Sequence, residues 1–291
     1  MEDQLEYDIL QQIKPDELLQ LRDLYKINWP TYSPIYNHID MAHTWITKNN
    51  EEIKFYSVNG YFDDGTVIFI SNLECDKIKL TYYTLEKSNS RLYDGLMKTK
   101  RIDWNKQICL DTIYRDQLPL SFEIAKAQHQ QFYSLAIGSC WWLPKEKAAQ
   151  FEIKIPNHTF VGPLSLEHAE KIYRSWTYNG HRSVEYVASL IKNNNCFGIF
   201  HENDRTLMAW VLLREFGVLG ILQTDEKYKR RGYATVVTKA LCKKIAENNA
   251  DSICYINVEN TASKKLFESL GFKAIDYYAW MKMKPNVDTC G

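Results

Sequence analysis

Apolar positions along the chain fall into two successions of elements with a similar order. In the first, Leu18, Leu21 and Leu24 recur at helical spacing and predict a helix over 16–25. Thr31-Tyr32-Ser33-Pro34 interrupts the pattern, and 39–49 reads as a second helix. Three β-rich runs follow at 53–61, 66–73 and 78–85, with Asp63-Asp64-Gly65 as a hairpin-type turn between the first two. Ser88 or Ser90 can cap a helix that runs to Lys98. A strand over 108–114, a helix over 122–134 and a short strand over 138–143 close the first succession.

The segment 144–158 is charged, contains Pro144 and Pro156, and reads as a linker. Beyond it, Leu166, Ala169, Ile172 and Tyr173 share one face of a helix over 165–176, and 183–192 predicts another. Strands are expected at 196–200, 207–213 and 218–223. A helix over 235–247 carries Val236, Val237, Ala240, Leu241 and Ile245 at helical spacing. A strand over 252–258, a helix over 261–270 and strands near Phe272 and Trp280 complete the pattern. The expectation is an α/β chain with mixed sheets and a duplicated unit, divided as 1–144, a linker 145–158, and 159–291.

Composition narrows the classes. Two domains of ordinary size fit 291 residues. Lys+Arg and Asp+Glu both total 36, so no global field draws the chain to nucleic acid. The basic run 227–231 is too short to make a nucleic-acid surface. No apolar run is long enough to span a bilayer. The seven cysteines (Cys75, Cys109, Cys140, Cys196, Cys242, Cys254 and Cys290) are odd in number and form no CxxC pair, which points to reduced thiols. Met1-Glu2-Asp3-Gln4 is acidic and unlike a secretory or transit leader. An intracellular protein is expected, in the cytoplasm first, with mitochondria also open. His38 and His43 stand at i, i+5, on different faces of a helix, and predict no metal site. Trp141-Trp142 reads as packed aromatics at a sheet end.

Chemistry gathers at 223–235, QTDEKYKRRGYAT, where an apolar strand runs into a basic turn and then an amphipathic helix. A pyrophosphate needs converging N–H groups, room to approach them and positive potential. The helix N-terminus supplies the amides and part of the field. Gly232 supplies room, and Lys229, Arg230 and Arg231 add charge. A solvated basic loop is the plain alternative for this segment alone. No GxxxxGK[ST] or GxGxxG occurs, which excludes a P-loop and argues against a dinucleotide fold. Downstream, Asn257-Val258-Glu259-Asn260 leads into a helix capped by Asn260 and ended by Gly271, with Phe272 opening the next strand.

Together these segments resemble the two signatures of the GNAT acetyltransferase superfamily. The (R/Q)xxGx(G/A) loop corresponds to Lys229-Arg230-Arg231-Gly232-Tyr233-Ala234, and the NxxNxxAxxLYExxGF segment to 257–272. The resemblance covers 160–284 and implies a mixed, twisted sheet whose two neighbouring parallel strands splay to admit acyl-CoA. It implies contacts with the co-substrate from Leu222, Gln223, Thr224, Lys229, Arg230, Arg231, Gly232, Tyr233, Ala234 and Thr235, and from Asn257, Asn260, Ser263 and Phe267. Arg101-Ile102-Asp103-Trp104-Asn105-Lys106-Gln107, the run from Leu166 to Trp176, Asn179-Gly180 and 183–191 are similar to glycine N-acyltransferases. That family pairs a degenerate N-terminal GNAT-like unit with an active C-terminal one.

The sequence departs from these patterns at three places. Lys229 stands where the superfamily has Arg or Gln. Phe267 replaces a Tyr proposed to protonate the leaving thiolate; a thiol of pKa about 8.5 can still leave without a dedicated acid. Val218 falls where glycine N-acyltransferases carry the Glu that deprotonates the amine, and Val cannot be a base. Substitute bases are Glu215, His201 and Tyr255, each of which also fits an ordinary structural role. Backbone N–H groups near Leu222 and Gln223 are expected to face a tetrahedral oxyanion.

The resemblance implies acyl transfer from acyl-CoA, acetyl or longer, to a small amine such as an amino acid, by direct attack in a ternary complex and without a metal. An acyl-CoA-binding protein with little catalysis is the alternative. The first half has no loop of the pyrophosphate type, so a structural or acceptor-shaping role is expected for it. A monomer and a homodimer are both open.

Overall fold

The computed structural model describes residues 8–48, 54–74, 77–177 and 182–286. Cys75, Cys290, Asn179-Gly180 and Met1-Glu2-Asp3-Gln4 lie outside them. Two compact units form. The first contains residues 1–139 and 276–291, and the second 140–275. This differs from the linear division the sequence suggests: the chain's last strand belongs to the first unit, and the charged segment 145–158 belongs to the second.

The first unit holds β1 (Leu10–Gln12), α1 (Pro15–Leu24), α2 (Ser33–Thr47), β2 (Lys54–Val58), β3 (Val67–Glu74), β4 (Lys77–Tyr83), α3 (Ser90–Lys98), β5 (Gln107–Tyr114), α4 (Leu118–Ala127) and β6 (Gln130–Leu143, through Ser139). The last strand of the chain, β12 (Lys273–Pro285), enters it from Asp276. Strand order here is β1-β2-β3-β4-β5-β12-β6. The β4–β5 pair is parallel, with consecutive partners from Lys77↔Gln107 to Leu80↔Leu110, while β5–β12 is antiparallel. The core gathers Leu10, Ile68, Leu80, Leu92, Ile108 and Met281.

Two expectations fail here. The second helix begins at Ser33 rather than at residue 39: Pro34 sits in the first turn of α2, where a missing N–H costs nothing. The helix expected over 122–134 spans Leu118–Ala127 instead, and His129 beyond its C-cap has φ 51°. Residues after it form the 14-residue strand β6, which absorbs the short strand expected at 138–143.

The second unit takes Cys140–Leu143 of β6, then α5 (Lys145–Ala149), β7 (Thr159–Pro163), α6 (Ala169–Ser175), α7 (Val184–Asn193), β8 (Cys196–His201), β9 (Leu207–Leu213), β10 (Leu219–Thr224), α8 (Tyr233–Glu247), β11 (Ser252–Asn257) and α9 (Thr261–Ser269). Strand order is β6-β11-β10-β9-β8-β7. All the pairs from β7 to β10 are antiparallel, and β10–β11 is parallel.

β9 is buried along its whole length, and α8 lays Val236, Val237, Leu241 and Ile245 into the core. The expected linker is anchored instead: Asp251 accepts from Trp142 Nε1 at 2.7 Å and from the Lys145 amide at 2.9 Å. Leu166 leaves the helical face assigned to it. A short 3-10 turn precedes α6 there, and Leu166 is 57% exposed. The described cysteines Cys109, Cys140, Cys196, Cys242 and Cys254 are all free thiols. His38 is buried, with Nδ1 3.1 Å from Tyr83 Oη and its ring edge-on to Phe55 and Phe69. Among the described residues, no helix is long and apolar enough to cross a membrane, and no group of three or more His, Cys, Asp or Glu side chains could hold a metal.

Candidate functional site

In the second unit, β10 and β11 start side by side and then part. Their register is held at Leu219↔Cys254. On its other edge, β10 pairs with β9 at Gly220↔Leu212 and again at Gln223↔Trp210. Three steps along β10 thus face two along β9, which is a β-bulge, and Ile221 within it has φ 51°. The bulge turns the backbone at Ile221 and Leu222 out of the β9 ladder. Of the two residues expected to offer oxyanion donors, Leu222 lies in this bulge, whereas Gln223 is already paired with Trp210 of β9.

Past Thr224 the chain turns sharply. Asp225 accepts from the Lys227 amide at 3.2 Å and forms an ion pair with Lys171 of α6 at 2.8 Å. Lys171 Nζ also donates to the Leu207 carbonyl at 2.7 Å, tying α6 to the root of the loop. The hydrogen bond from Lys171 holds the Asp225 carboxyl below its ordinary range. Lys229, Arg230 and Arg231 are all exposed. Lys229 pairs with Glu226, and the Arg231 guanidinium lies 5.5 Å from the Tyr228 ring centre.

Arg230 and Gly232 both have positive φ, 62° and 79°, around Arg231. Such alternation points successive amides into one concavity. Gly232 is the N-cap of α8, no side chain caps that helix, and its first intrahelical bond runs from the Val236 amide to the Gly232 carbonyl at 3.2 Å. The amides of Tyr233, Ala234 and Thr235 therefore come before the ladder begins. A Cβ on Gly232 would find nothing within 4 Å. The helix end is open to an anion, and the cations sit beside it.

Other residues singled out from sequence take different positions. Tyr233 is buried, so its amide rather than its ring is available to the loop. Asn257 accepts from the Glu259 amide at 2.8 Å, and Asn260 caps α9 by accepting from the Ser263 amide at 3.1 Å. These side chains shape the turn after β11. Phe267 is buried, edge-on to Phe272 with centroids 5.0 Å apart. Val218 is buried at the entry to β10.

Among the candidate bases, His201 ends β8, its Nδ1 3.3 Å from Asp204 Oδ1. Thr159 and Leu212 registers place it two strands from β10. Tyr255 is half-buried on β11, one residue past the Leu219↔Cys254 pair. Glu215 is 2% exposed and accepts from Tyr186 Oη at 2.6 Å. Sequence reasoning missed Tyr186, Arg214 and Gly220. The visible signal was Gly220 itself, a glycine inside an apolar strand, which marks a bulge or a close approach.

Residues 196–281 match the family FR47-like protein, and residues 9–120 match Domain of unknown function (DUF5645). Among solved structures, a Drosophila protein superposes with TM-score 0.85 at 22% identity, over 96% of this chain and 99% of that one. A tandem GNAT protein from the clavulanic acid biosynthesis pathway gives 0.57 at 10% identity, over 95% and 98%. A GCN5-related N-acetyltransferase from Sphaerobacter thermophilus gives 0.56 at 8% identity, over 94% of each. The fold is thus a tandem GNAT architecture with mixed sheets.

Proposed function

We propose that the protein is an N-acyltransferase that moves an acyl group from acyl-CoA to a small primary amine, the second unit holding the co-substrate. The observation that carries this reading is the open N-terminus of α8, with its uncovered Gly232, set after a strand that parts from its parallel neighbour. The arrangement fits the diphosphate of coenzyme A. Amides of 233–235 and the guanidinium and ammonium groups of Lys229, Arg230 and Arg231 would hold the phosphates. The bulge at Ile221 and Leu222 leaves donors for the tetrahedral oxyanion. Attack in a ternary complex needs the two reactants aligned, and that alignment supplies much of the rate. The resemblance to glycine N-acyltransferases supports amino acids among the acceptors.

An acyl-CoA-binding protein with little catalysis is the second reading. Buried Phe267 and Val218 favour it, because neither can move a proton. Thiol release from acetyl-CoA, benzoyl-CoA and a long-chain acyl-CoA, measured with glycine, phenethylamine and spermidine, separates the two. Acyl transfer predicts amine-dependent release with at least one pair. CoA binding with no release above hydrolysis across the panel selects the second reading.

A further inference from the structure

Arg214 and Glu215 stand in the turn from β9 to β10, and their side chains meet α7. The stem of Arg214 crosses Gly220: a Cβ at that glycine would lie 2.6 Å from Arg214 Cδ and 3.9 Å from its Nε. The same Nε donates to Tyr186 Oη at 3.2 Å, and Tyr186 Oη donates to Glu215 Oε2 at 2.6 Å. Arg214 Nη2 reaches Glu215 Oε1 at 3.3 Å. Both members of the ion pair are buried. Trp176 stacks on Tyr186 with centroids 6.2 Å apart, and the Arg182 guanidinium lies 5.1 Å from the Tyr186 ring centre. Gly220 follows the Leu219↔Cys254 pair and precedes the bulge, so the Arg214 stem lies against β10 where it leaves β11, and the rest of the hydrogen-bond chain leads from there to α7.

We propose that Tyr186 and Glu215 form a proton relay for the acceptor amine, with Arg214 as a positioning residue. The inference rests on the acyl-transfer reading above and answers what replaces the base that Val218 cannot be. In the step, the ammonium gives one proton to Tyr186 Oη while the phenolic proton passes to Glu215 Oε2. The freed nitrogen lone pair attacks the thioester carbonyl. A C–N bond forms, the C–S bond breaks, and the thiolate leaves with the electron pair. The second N–H proton, acidified once the C–N bond exists, neutralises the thiolate. The proton on Glu215 returns through Tyr186 to solvent after the products leave.

Tyr186 never has to ionise in this scheme. That matters because burial, opposed by Arg214 and Arg182 and reinforced by Glu215, holds its phenol well above the ordinary range. Among the described residues, those three are the charged groups that act on it. The relay requires Glu215 to be ionised before the amine arrives, so the rate should carry an acid limb set by that carboxylate.

The test uses the full chain, acetyl-CoA, and the fastest acceptor of glycine, phenethylamine and spermidine. Tyr186→Phe and Glu215→Gln should each lower kcat by about 100-fold or more, the range of general acid–base catalysis. They should leave the KM for acetyl-CoA unchanged and flatten the acid limb of the pH profile. Glu215→Asp should recover part of the rate and the limb. Variants that keep the limb, or that lose CoA binding in calorimetry, overturn the relay while leaving acyl transfer standing. If the parent binds CoA and releases no thiol with any acceptor, the acyl-transfer reading falls, and the relay with it.

Discussion

The two units use one backbone plan to opposite ends. In each, a parallel strand pair leads through a loop into a helix: β4 and β5 with α3, β10 and β11 with α8. At the N-terminus of α3 the position an anion would take is filled by the chain's own Glu86. Its carboxylate accepts from Ser88 Oγ at 2.7 Å, Ser90 Oγ at 2.9 Å and the Arg91 amide at 3.1 Å. At the N-terminus of α8 no carboxylate stands, Gly232 leaves space, and three cations follow one another. The strand pairs differ too, with four consecutive partners for β4–β5 against one for β10–β11. On the proposed reading, what occupies a helix end and how far two strands are zipped decide which unit takes CoA. The topology itself is shared.

Breaking the open end should have the largest effect. Gly232→Glu puts a Cβ and an anionic side chain where φ is 79° and where the proposed phosphate would sit. We expect CoA affinity to fall at least about 100-fold, close to 3 kcal/mol, in a fluorescence or calorimetric titration. Removing the self-cap should matter less, and only for stability. Glu86→Gln should cost about 1 kcal/mol, a Tm drop of roughly 2–4 °C.

Glu86 titrates below its ordinary value, because the Ser88 hydroxyl, the Arg91 amide and the Ser90 hydroxyl bond its ionised form. A depressed carboxyl stabilises the fold above its unfolded pKa, and that stability is lost as pH falls through the folded one. The Tm gap between parent and Glu86→Gln should thus be full at pH 7, persist to about pH 4.3, and close below it in thermal scans. The smallest expected effect is on ligand: the same variant should bind CoA within a factor of about two of the parent, since a change of that size is near the limit of what a few tenths of a kcal/mol produce.

Much of this was legible in the chain itself. Val236, Val237, Leu241 and Ile245 announced α8, and the basic turn with Gly232 pointed to its N-terminal end, because helical spacing and a glycine beside consecutive cations are local signals. Glu86 was not read as a cap, since its three donors arise only when Ser88, Ser90 and Arg91 fold around it. The destination of β12 was equally hidden. Its pairing with β5 joins residues more than 160 positions apart, from Tyr278↔Tyr114 to Met283↔Ile108, and no periodicity specifies such a partner. The contact of Arg214 with Gly220 and Tyr186 failed for the same reason: a turn, a strand and a helix supply one residue each.

Titration calorimetry of the full chain with CoA examines the contrast between the units most directly. We expect one CoA per chain, at a site that Gly232→Glu abolishes and Glu86→Gln leaves intact. Two equivalents per chain, or one that survives Gly232→Glu and disappears with a change at the α3 end, would contradict it.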